Sequence, residues 1–452
     1  MFLESAKLKT IYRTSRCTGE SHMGMPKRIE LSSVKHYVRS SDSCYRADDG
    51  VIYRIMGRNQ FVEVCSSDKD ITEADLADEV VIDGKLYPVL AVGGEAFRNC
   101  PELTTVAFPA SLKKIGNWVF YDSDKVEHYI FNGCRELDVT SLPNVERADY
   151  DSLNTLMAVG NKGKRTFVAG EELTDLVVPE GTKELPDRLL DCCESLRSVT
   201  LPDGIETIGS DAFRGCKNLT NINLPEGLKV IGYNAFYDCI NLEDAKLPST
   251  LTVIGSEAFS CTAIESIVIP DEATVYHGAF RICSKLKSVK LPSTMTEVPD
   301  HLFDGCCLLN AIEIPQGVTQ IGDGAFWDCK SVNSLQIPEG VTAIGSFAFA
   351  FMPITTLTIP AHVMTIGEGV FEGCAVLSDV YSKIENPSKC DVKSFELTSH
   401  QAQSNWRDDM GTEVFYRQAT LHVPNAKGIV SAYKKKAAWK KFSKIVIDEL
   451  NK

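Results

Sequence analysis

The sequence predicts an α/β repeat solenoid, with parallel strands along one face and short turns elsewhere. The first observation is a period of 22 or 23 residues, marked by these prolines: Pro179, Pro202, Pro225, Pro248, Pro270, Pro292, Pro315, Pro338 and Pro360. The second is that most units carry Leu-x-x-Ile-x-Leu-Pro, then Ile-Gly, then Ala-Phe-x-x-Cys. A unit this small cannot bury its own apolar face, so consecutive units must stack into one elongated core.

Each unit is predicted to contain a short strand and two turns. Apolar and polar residues alternate before the proline, which is typical of a half-buried strand, and proline ends the strand because it has no N–H. The glycine in pairs such as Ile231-Gly232 suits either a turn with positive φ or a close approach of two backbones. The Ala-Phe-x-x-Cys piece leaves room for one helical or 3-10 turn.

The phenylalanines of the last piece are expected to stack along the solenoid as a ladder. Burial of each ring contributes about 1.5 to 3 kcal/mol, the largest apolar contribution of a repeat. The ladder positions are Phe97, Phe120, Phe213, Phe236, Phe259, Phe280, Phe303, Phe326, Phe349 and Phe371.

The sixteen cysteines suggest a disulfide framework or a metal site, but their spacing favours core positions. Seven end the Phe-containing turn of consecutive repeats: Cys193, Cys216, Cys239, Cys261, Cys283, Cys306 and Cys329. The chain has no C-x-x-C pair, and free cysteine behaves as a small buried hydrophobe. Ser123 and Met352 occupy the equivalent place, which packing tolerates and a metal ligand would not. We therefore predict buried thiols without bridges or metal.

Charge and hydropathy argue against several partners. The net charge of −14 is spread through the chain, which argues against a nucleic-acid backbone. The basic residues from Lys434 to Lys441 are interpreted as a solvated helix face rather than an anion site. No stretch reaches the 18 apolar residues of a membrane span, and no secretory signal is recognised in residues 1–21.

No pattern typical of an enzyme is present. The chain lacks G-x-S-x-G, H-E-x-x-H and G-x-x-x-x-G-K-[ST] motifs, and the eight histidines are dispersed. Asp122-Ser-Asp124 with Glu127 lacks the glycine and the distal glutamate of an EF-hand loop. The sequence therefore predicts no catalytic residue, no metal and no cofactor.

Four regions are predicted along the chain: residues 1–45 without a clear pattern, residues 46–91 as an N-terminal β cap, residues 92–380 as the solenoid with an irregular repeat at about 133–172, and residues 381–452 as a C-terminal cap. Caps are expected because a repeat array would otherwise expose its apolar ends. In the N-terminal cap, Asp83-Gly84 is typical of a hairpin turn. The C-terminal cap is expected to end with a strand at residues 421–424 and a helix near residues 431–442.

The 23-residue unit resembles the BspA-like branch of the leucine-rich repeat proteins. The likeness covers at least residues 92–380 and extends to the flanks, with Asp49-Gly50-Val51-Ile52-Tyr53 before the array and Ala432-Tyr433 after it. It implies a right-handed superhelix with parallel strands on the concave face. It also implies a cell-surface or secreted bacterial protein that binds host or neighbouring-cell proteins without catalysis. The alternative is an intracellular interaction or structural scaffold.

A binding surface is predicted at the outer edge of the solenoid. Residues beside the ladder Phe are expected to point outward, and most are polar or charged: Arg98, Arg214, Arg281, Asp304 and Glu372. Trp327 differs, and Phe347 and Phe351 flank the next ladder residue, so these three aromatic side chains should approach one another. Tyr237 is a weaker candidate further along the same edge. Clustered surface aromatics are typical of binding hot spots; the alternative is that they pack into the core near Met352.

Overall fold

The structure, a computed structural model, describes residues 27–31, 44–57, 60–131, 133–134, 137, 145–150, 152–159, 163–394 and 418–448. The chain divides into two compact units, Met1–Pro143 and Asn144–Lys452. Most of the predicted extension 1–45 and the middle of the predicted C-terminal cap lie outside the described residues. The unit boundary falls inside the predicted irregular repeat, and the four predicted regions remain a prediction.

The strands of the first unit are β1 (Arg28–Leu31), β2 (Cys44–Arg46), β3 (Val51–Met56), β4 (Phe61–Ser67), β5 (Glu73–Asp75), β6 (Glu79–Ile82), β7 (Lys85–Val92), β8 (Thr105–Phe108), β9 (Lys114–Ile115) and β10 (His128–Phe131). One sheet has the order β1-β6-β7-β4-β3-β2, with β9 also beside β7, and β5, β8 and β10 pair in parallel. The predicted hairpin turn is confirmed between antiparallel β6 and β7. Asp83 and Gly84 both have positive φ there, at 50° and 76°, as a two-residue hairpin turn requires.

The elements of the second unit are β11 (Val145–Tyr150), α1 (Leu153–Val159), β12 (Gly163–Val168), β13 (Glu171–Glu172), β14 (Asp175–Val177), β15 (Glu184–Leu185), β16 (Ser198–Thr200), β17 (Thr207–Ile208), β18 (Asn221–Ile222), β19 (Val230–Ile231), β20 (Val253–Ile254), β21 (Ser266–Val268), β22 (Thr274–Val275), β23 (Ser288–Lys290), β24 (Glu297–Val298), β25 (Gln320–Ile321), β26 (Ala343–Ile344), β27 (Thr356–Ile359), β28 (Thr365–Glu368), β29 (Asp379–Ser382), β30 (Asp391–Ser394), β31 (Thr420–Val423), α2 (Ile429–Lys434), a 3-10 turn (Trp439–Lys441) and β32 (Lys444–Ile447).

The second unit is a solenoid of parallel strands, which confirms the predicted fold class. Strands that precede the repeat proline, together with β29 and β32, form the first ladder, with sheets β14-β16-β18, β21-β23 and β27-β29-β31-β32. Strands that follow the repeat proline, most of them at the Ile-Gly piece, form the second ladder, with sheets β15-β17-β19-β20-β22 and β24-β25-β26-β28-β30. Before them, β12 pairs in parallel with β11 and antiparallel with β13.

The predicted phenylalanine ladder is present. From Phe213 to Phe349, consecutive rings stack with centroids 5.2 to 6.3 Å apart, and each of these side chains is fully buried. In the first unit, Phe97 stacks on Phe120 at 5.7 Å. The rings therefore form a continuous apolar column through the regular repeats of the second unit.

The Phe-containing turn is held by left-handed residues rather than by a helical turn. In the repeat before that of Phe213, Leu190 holds the ladder position. The residue two before the ladder position has positive φ in each of these repeats: Glu95, Trp118, Arg188, Asp211, Asn234, Glu257, Gly278, His301, Gly324, Phe347 and Gly369. The same holds for the residue two after it: Asn99, Asp122, Cys192, Gly215, Asp238, Cys261, Ile282, Gly305, Asp328, Phe351 and Gly373. Left-handed backbone costs about 1 to 2 kcal/mol for a residue with Cβ. Hydrogen bonds between repeats offset that cost, such as Asp211 N–H to Tyr233 O at 2.8 Å.

The glycine of the Ile-Gly piece permits a close approach of two backbones. A Cβ on Gly232 would lie 2.7 Å from the carbonyl carbon of Gly209, and one on Gly345 would lie 2.5 Å from the amide nitrogen of Asp323. Neither glycine has positive φ. Of the two explanations open from sequence, the structure therefore selects steric contact between neighbouring repeats.

The ladder thiols are buried and bonded to the backbone of the preceding repeat. The Cys239 thiol donates to the Phe213 carbonyl at 3.0 Å, and the Ser123 hydroxyl donates to the Phe97 carbonyl at 2.5 Å. The prediction that Cys261 is one of these buried thiols was wrong. It lies two residues after its Phe and is only half-buried, and Thr262 occupies the buried position. The residue two after the ladder Phe has a left-handed backbone and lies at the edge of the solenoid, whereas the residue three after it points inward.

Burial should make the ladder thiols slow to react. It raises the pKa of Cys283 to about 12 and raises that of Cys239 above its ordinary range, and the thiolate is the reactive form. We expect Cys239 to alkylate far more slowly in native protein than half-buried Cys192 or Cys307, and Cys239→Ala to be only mildly destabilising. Timed iodoacetamide labelling read by mass spectrometry tests this. Equal rates, or stoichiometric disulfides among residues 216–329, would contradict it.

The C-terminal segment differs from the predicted single helix near residues 431–442. The chain forms α2, then the short 3-10 turn, and returns as β32, which pairs in parallel with β31. The helix is interrupted because Trp439 is fully buried and packs edge-on against Tyr433, with ring centroids 5.3 Å apart. Tyr433 also donates its hydroxyl hydrogen to the Ile384 carbonyl at 2.7 Å.

Candidate functional site

Trp327, Phe347 and Phe351 form one cluster, which we call the aromatic cluster. The Trp327 ring stacks on Phe347 with centroids 5.5 Å apart and on Phe351 with centroids 6.3 Å apart. His301 lies on the other side of Trp327 at 6.5 Å. All three cluster residues are half-buried, so they are neither core side chains nor fully exposed ones.

Glycines in the next repeat leave room for these rings. A Cβ on Gly369 would lie 2.3 Å from a ring carbon of Phe347, and a Cβ on Gly373 would lie 2.2 Å from a ring carbon of Phe351. Phe347 and Phe351 take the two left-handed positions of their repeat. The following repeat has glycine at both equivalent positions. The cluster therefore depends on phenylalanine in one repeat lying against glycine at the equivalent position of the next repeat.

The stacking determines what the cluster can contact. The planes of Phe347 and Phe351 are tilted from the Trp327 plane by only 25° and 15°. The ring faces are therefore largely covered by one another and by the glycines, and the edges remain for a partner. Such an arrangement suits an apolar side chain of a protein partner better than a ligand that needs an open ring face.

Tyr237 lies at the same kind of position as Trp327, one residue after its ladder Phe, but it is separate from the cluster. Among the described residues it has no ring contact with Trp327, Phe347 or Phe351. Its side chain is half-buried, and burial raises the pKa of its hydroxyl. The binding roles of Tyr237 and of the cluster remain predictions.

A charged network adjoins the cluster. Arg281 Nε donates to Asp304 Oδ2 at 2.9 Å, and His301 Nδ1 lies 3.1 Å from the same oxygen. Asp304 and Glu372, which are expected to point toward the outer edge, are both buried. The Asp304 carboxylate is covered because Arg281 and His301 contact it.

Sequence reasoning missed a second aromatic pair, in the first unit. Trp118 is 68% exposed and Tyr121 43%, and their rings meet edge to face at 5.7 Å. The Arg98 guanidinium lies 5.0 Å from the Tyr121 ring centroid. Trp118 stands two residues before Phe120 and Tyr121 one residue after it. These are the positions of Phe347 and Trp327 relative to their own ladder residues, so the same rule could have found this pair.

Two kinds of feature are absent from the described ranges. No three His, Cys, Asp or Glu side chains gather there in a way that could hold a metal ion. No helix within those ranges has the length and apolar character needed to cross a bilayer.

Comparison with protein families identifies the repeats. The model for the BspA type leucine-rich repeat region, in six copies, matches residues 87–148, 162–280 and 273–378. The chain belongs to this family. Its members are built from leucine-rich repeats, and such BspA-type arrays generally serve as scaffolds for protein interactions. The match confirms the resemblance seen in the sequence.

Solved structures of bacterial leucine-rich repeat proteins are similar to this BspA-type chain. A leucine-rich repeat protein from Bacteroides ovatus is 25% identical, with 78% of this chain and 99% of that chain covered and a TM-score of 0.47. A leucine-rich cell surface protein from Faecalibacterium prausnitzii is 24% identical, with 79% and 100% covered and a TM-score of 0.45. The pneumococcal vaccine antigen PcpA is 16% identical, with 90% and 98% covered and a TM-score of 0.49. No curated protein matches the chain.

Proposed function

We propose that this protein is a non-catalytic, adhesin-like scaffold, displayed on the cell surface or secreted, that binds proteins of a host or of neighbouring cells. The observation that carries the proposal is the half-buried aromatic cluster at the edge of the repeats. Aromatic residues are enriched in binding hot spots because they bury a large area at a low cost in conformational entropy. The proposal is also supported by the family, because BspA-type repeat arrays generally serve as scaffolds for protein interactions.

The test is the triple variant Trp327→Ser/Phe347→Ser/Phe351→Ser. We expect binding of the purified, labelled protein to intact host or neighbouring-cell surfaces to fall at least about tenfold, because a hot-spot residue typically contributes 2 kcal/mol or more. The melting temperature should change little, because the ring edges are outside the buried Phe column. Binding is measured by flow cytometry, and stability by circular dichroism on the same preparations.

Tyr233→Ser provides a matched control, because Tyr233 is an exposed aromatic residue of the array outside the cluster. It should leave binding unchanged. A large drop in melting temperature of the triple variant would assign the cluster to the core and end the proposal. The variant Trp118→Ser/Tyr121→Ser shows whether the pair in the first unit contributes to the same binding.

The second candidate function is an intracellular interaction or structural scaffold. The observation that favours it is that the described cysteines are free thiols, including half-buried Cys192, Cys261 and Cys307. Accessible thiols that stay reduced are typical of a reducing compartment. Fractionation with an antibody to the native protein separates the candidates: signal in the envelope or medium supports the adhesin, and signal in the cytosol supports the alternative.

A further inference from the structure

The second ladder of strands is interrupted at one place in the described repeats. Strand β22 ends one five-stranded sheet and β24 begins the next, and the two are not paired. The same two repeats remain joined on both sides of this gap. On one side β21 pairs with β23, and on the other Gly278 N–H donates to Asp300 O at 3.0 Å. The gap is therefore a local cleft within a continuous stack.

A proline at one ladder position explains the interruption. Tyr276 and Pro299 occupy the place that glycine holds after the strand in the neighbouring repeats. There the glycine N–H normally donates to the preceding repeat, as Gly322 N–H does to Val298 O at 2.8 Å. Pro299 has no N–H to give to the Val275 carbonyl, and proline typically marks a sheet edge. Tyr276 still donates its N–H to the Ile254 carbonyl at 3.0 Å, so the missing hydrogen bond is the one that Pro299 cannot donate.

The interruption leaves backbone N–H and C=O groups unpaired along the facing edges of β22 and β24. In the following repeats Thr319 N–H donates to Thr296 O and Thr342 N–H donates to Thr319 O, each at 2.8 Å. The equivalent N–H of Thr296 would donate to the Ala273 carbonyl, but it forms no hydrogen bond with any residue that the structure describes. Unpaired strand edges are the feature to which extended peptides add as an extra strand.

The cleft has the size and lining of a ligand site. Its volume is about 520 Å³, within the usual range of small-ligand pockets. Ala273, Val275 and Met295 are buried and form its apolar floor. Exposed Tyr276 and His277 stand on one rim. A space of this size accepts a short peptide segment.

The rim of the cleft is acidic. Asp271, Glu272, Glu297 and Asp300 all line the cleft. Within the described part of the chain, none of the four forms an ion pair, whereas Glu243 and Glu265 elsewhere on the array are paired with Lys285 and Lys287 at 3.2 and 2.8 Å. Charge complementarity therefore favours a cationic ligand.

We propose that the cleft between β22 and β24 docks a short extended peptide rich in lysine or arginine. Its backbone pairs with the open edges at Ala273, Val275 and Thr296, and its cationic side chains meet Glu272 and Glu297. The site uses none of the aromatic-cluster residues, so it stands or falls independently of the adhesin proposal.

The experiment is fluorescence anisotropy with the full chain and a labelled octapeptide of alternating lysine and threonine. We expect saturable binding that weakens about tenfold in the variant Glu272→Gln/Glu297→Gln and weakens as salt increases. The variant Glu243→Gln/Glu265→Gln removes the same charge from lysine-paired carboxylates, and its affinity should change less than about twofold. The same octapeptide with alternate backbone nitrogens methylated should lose binding, because it cannot donate to the open carbonyls.

A second variant tests the cleft itself. Tyr276→Gly/Pro299→Gly restores the ladder glycines, so peptide binding should be lost while the melting temperature is maintained or raised. Three results would overturn the proposal: absence of peptide binding to the wild type, equal binding of the methylated peptide, or equal weakening by the two carboxylate variants. Equal binding of the methylated peptide would identify the surface as a nonspecific acidic patch.

Discussion

Phe236→Ala should destabilise the protein by about 3 to 5 kcal/mol, the range for truncating a buried aromatic ring. The Phe236 ring is fully buried and stacks on Phe213 at 5.5 Å and on Phe259 at 5.2 Å. Its removal leaves a cavity that neighbouring rings cannot fill, because each is fixed by the backbone hydrogen bonds of its own repeat. Chemical denaturation measures the loss.

The effect should be local, because each repeat contacts only its neighbours. Hydrogen exchange should show faster opening near residues 213–260, while amides of β31 and α2 keep their protection. Tyr233→Ala is the matched control, since Tyr233 lies in the same repeat with its ring half exposed, and it should cost little. Uniform weakening of the whole array, or an unchanged stability, would contradict the stacked-ladder model.

The regular part of the fold could be predicted because its signals repeat. A proline, an Ile-Gly pair and a phenylalanine return at fixed spacing, so one unit explains the next, and the Phe column from Phe213 to Phe349 follows directly. The left-handed residues could not be predicted in this way. Their positions hold residues as different as Asp211, Ile282 and Phe347, because hydrogen bonds between repeats, rather than a particular side chain, impose the conformation.

The aromatic cluster was predictable in part for the same reason. The spacing of Trp327, Phe347 and Phe351 from their ladder residues brings them together across one repeat boundary. Their degree of burial was not predictable, because it depends on Gly369 and Gly373 one repeat further on. The exposed pair Trp118 and Tyr121 follows the same spacing and shows that the rule, once known, finds further candidates.

The cleft shows a different limit of sequence reasoning. Tyr276 and Pro299 are visible as departures from the glycine pattern, but each is a single substitution in the sequence. Only the strand pairing shows that the ladder opens at Pro299 and stays closed at Tyr276. Departures from a repeat are therefore the places where a solenoid gains a property that its regular units lack.

The ladder glycines themselves predict a large effect for a single added methyl group. Gly345→Ala should destabilise the protein by about 1 to 3 kcal/mol or more, the cost of overpacking a close contact. The new Cβ would lie 2.5 Å from the Asp323 amide nitrogen and from the Gly322 carbonyl carbon. Both are backbone atoms, and they are fixed by the pairing of β25 with β26, so they cannot move aside as a flexible side chain would.

Gly340→Ala is the matched control in the same repeat. Its Cβ would meet no atom closer than the Val318 carbonyl oxygen at 3.6 Å, and Gly340 does not have positive φ. Alanine there should stabilise by about 0.4 to 1 kcal/mol, because it reduces the entropy of the unfolded chain. Urea denaturation of the two variants should thus give midpoint shifts of opposite sign. Shifts of the same sign and size would mean that the second ladder does not hold neighbouring repeats in close contact, and the steric explanation of the Ile-Gly motif would be lost.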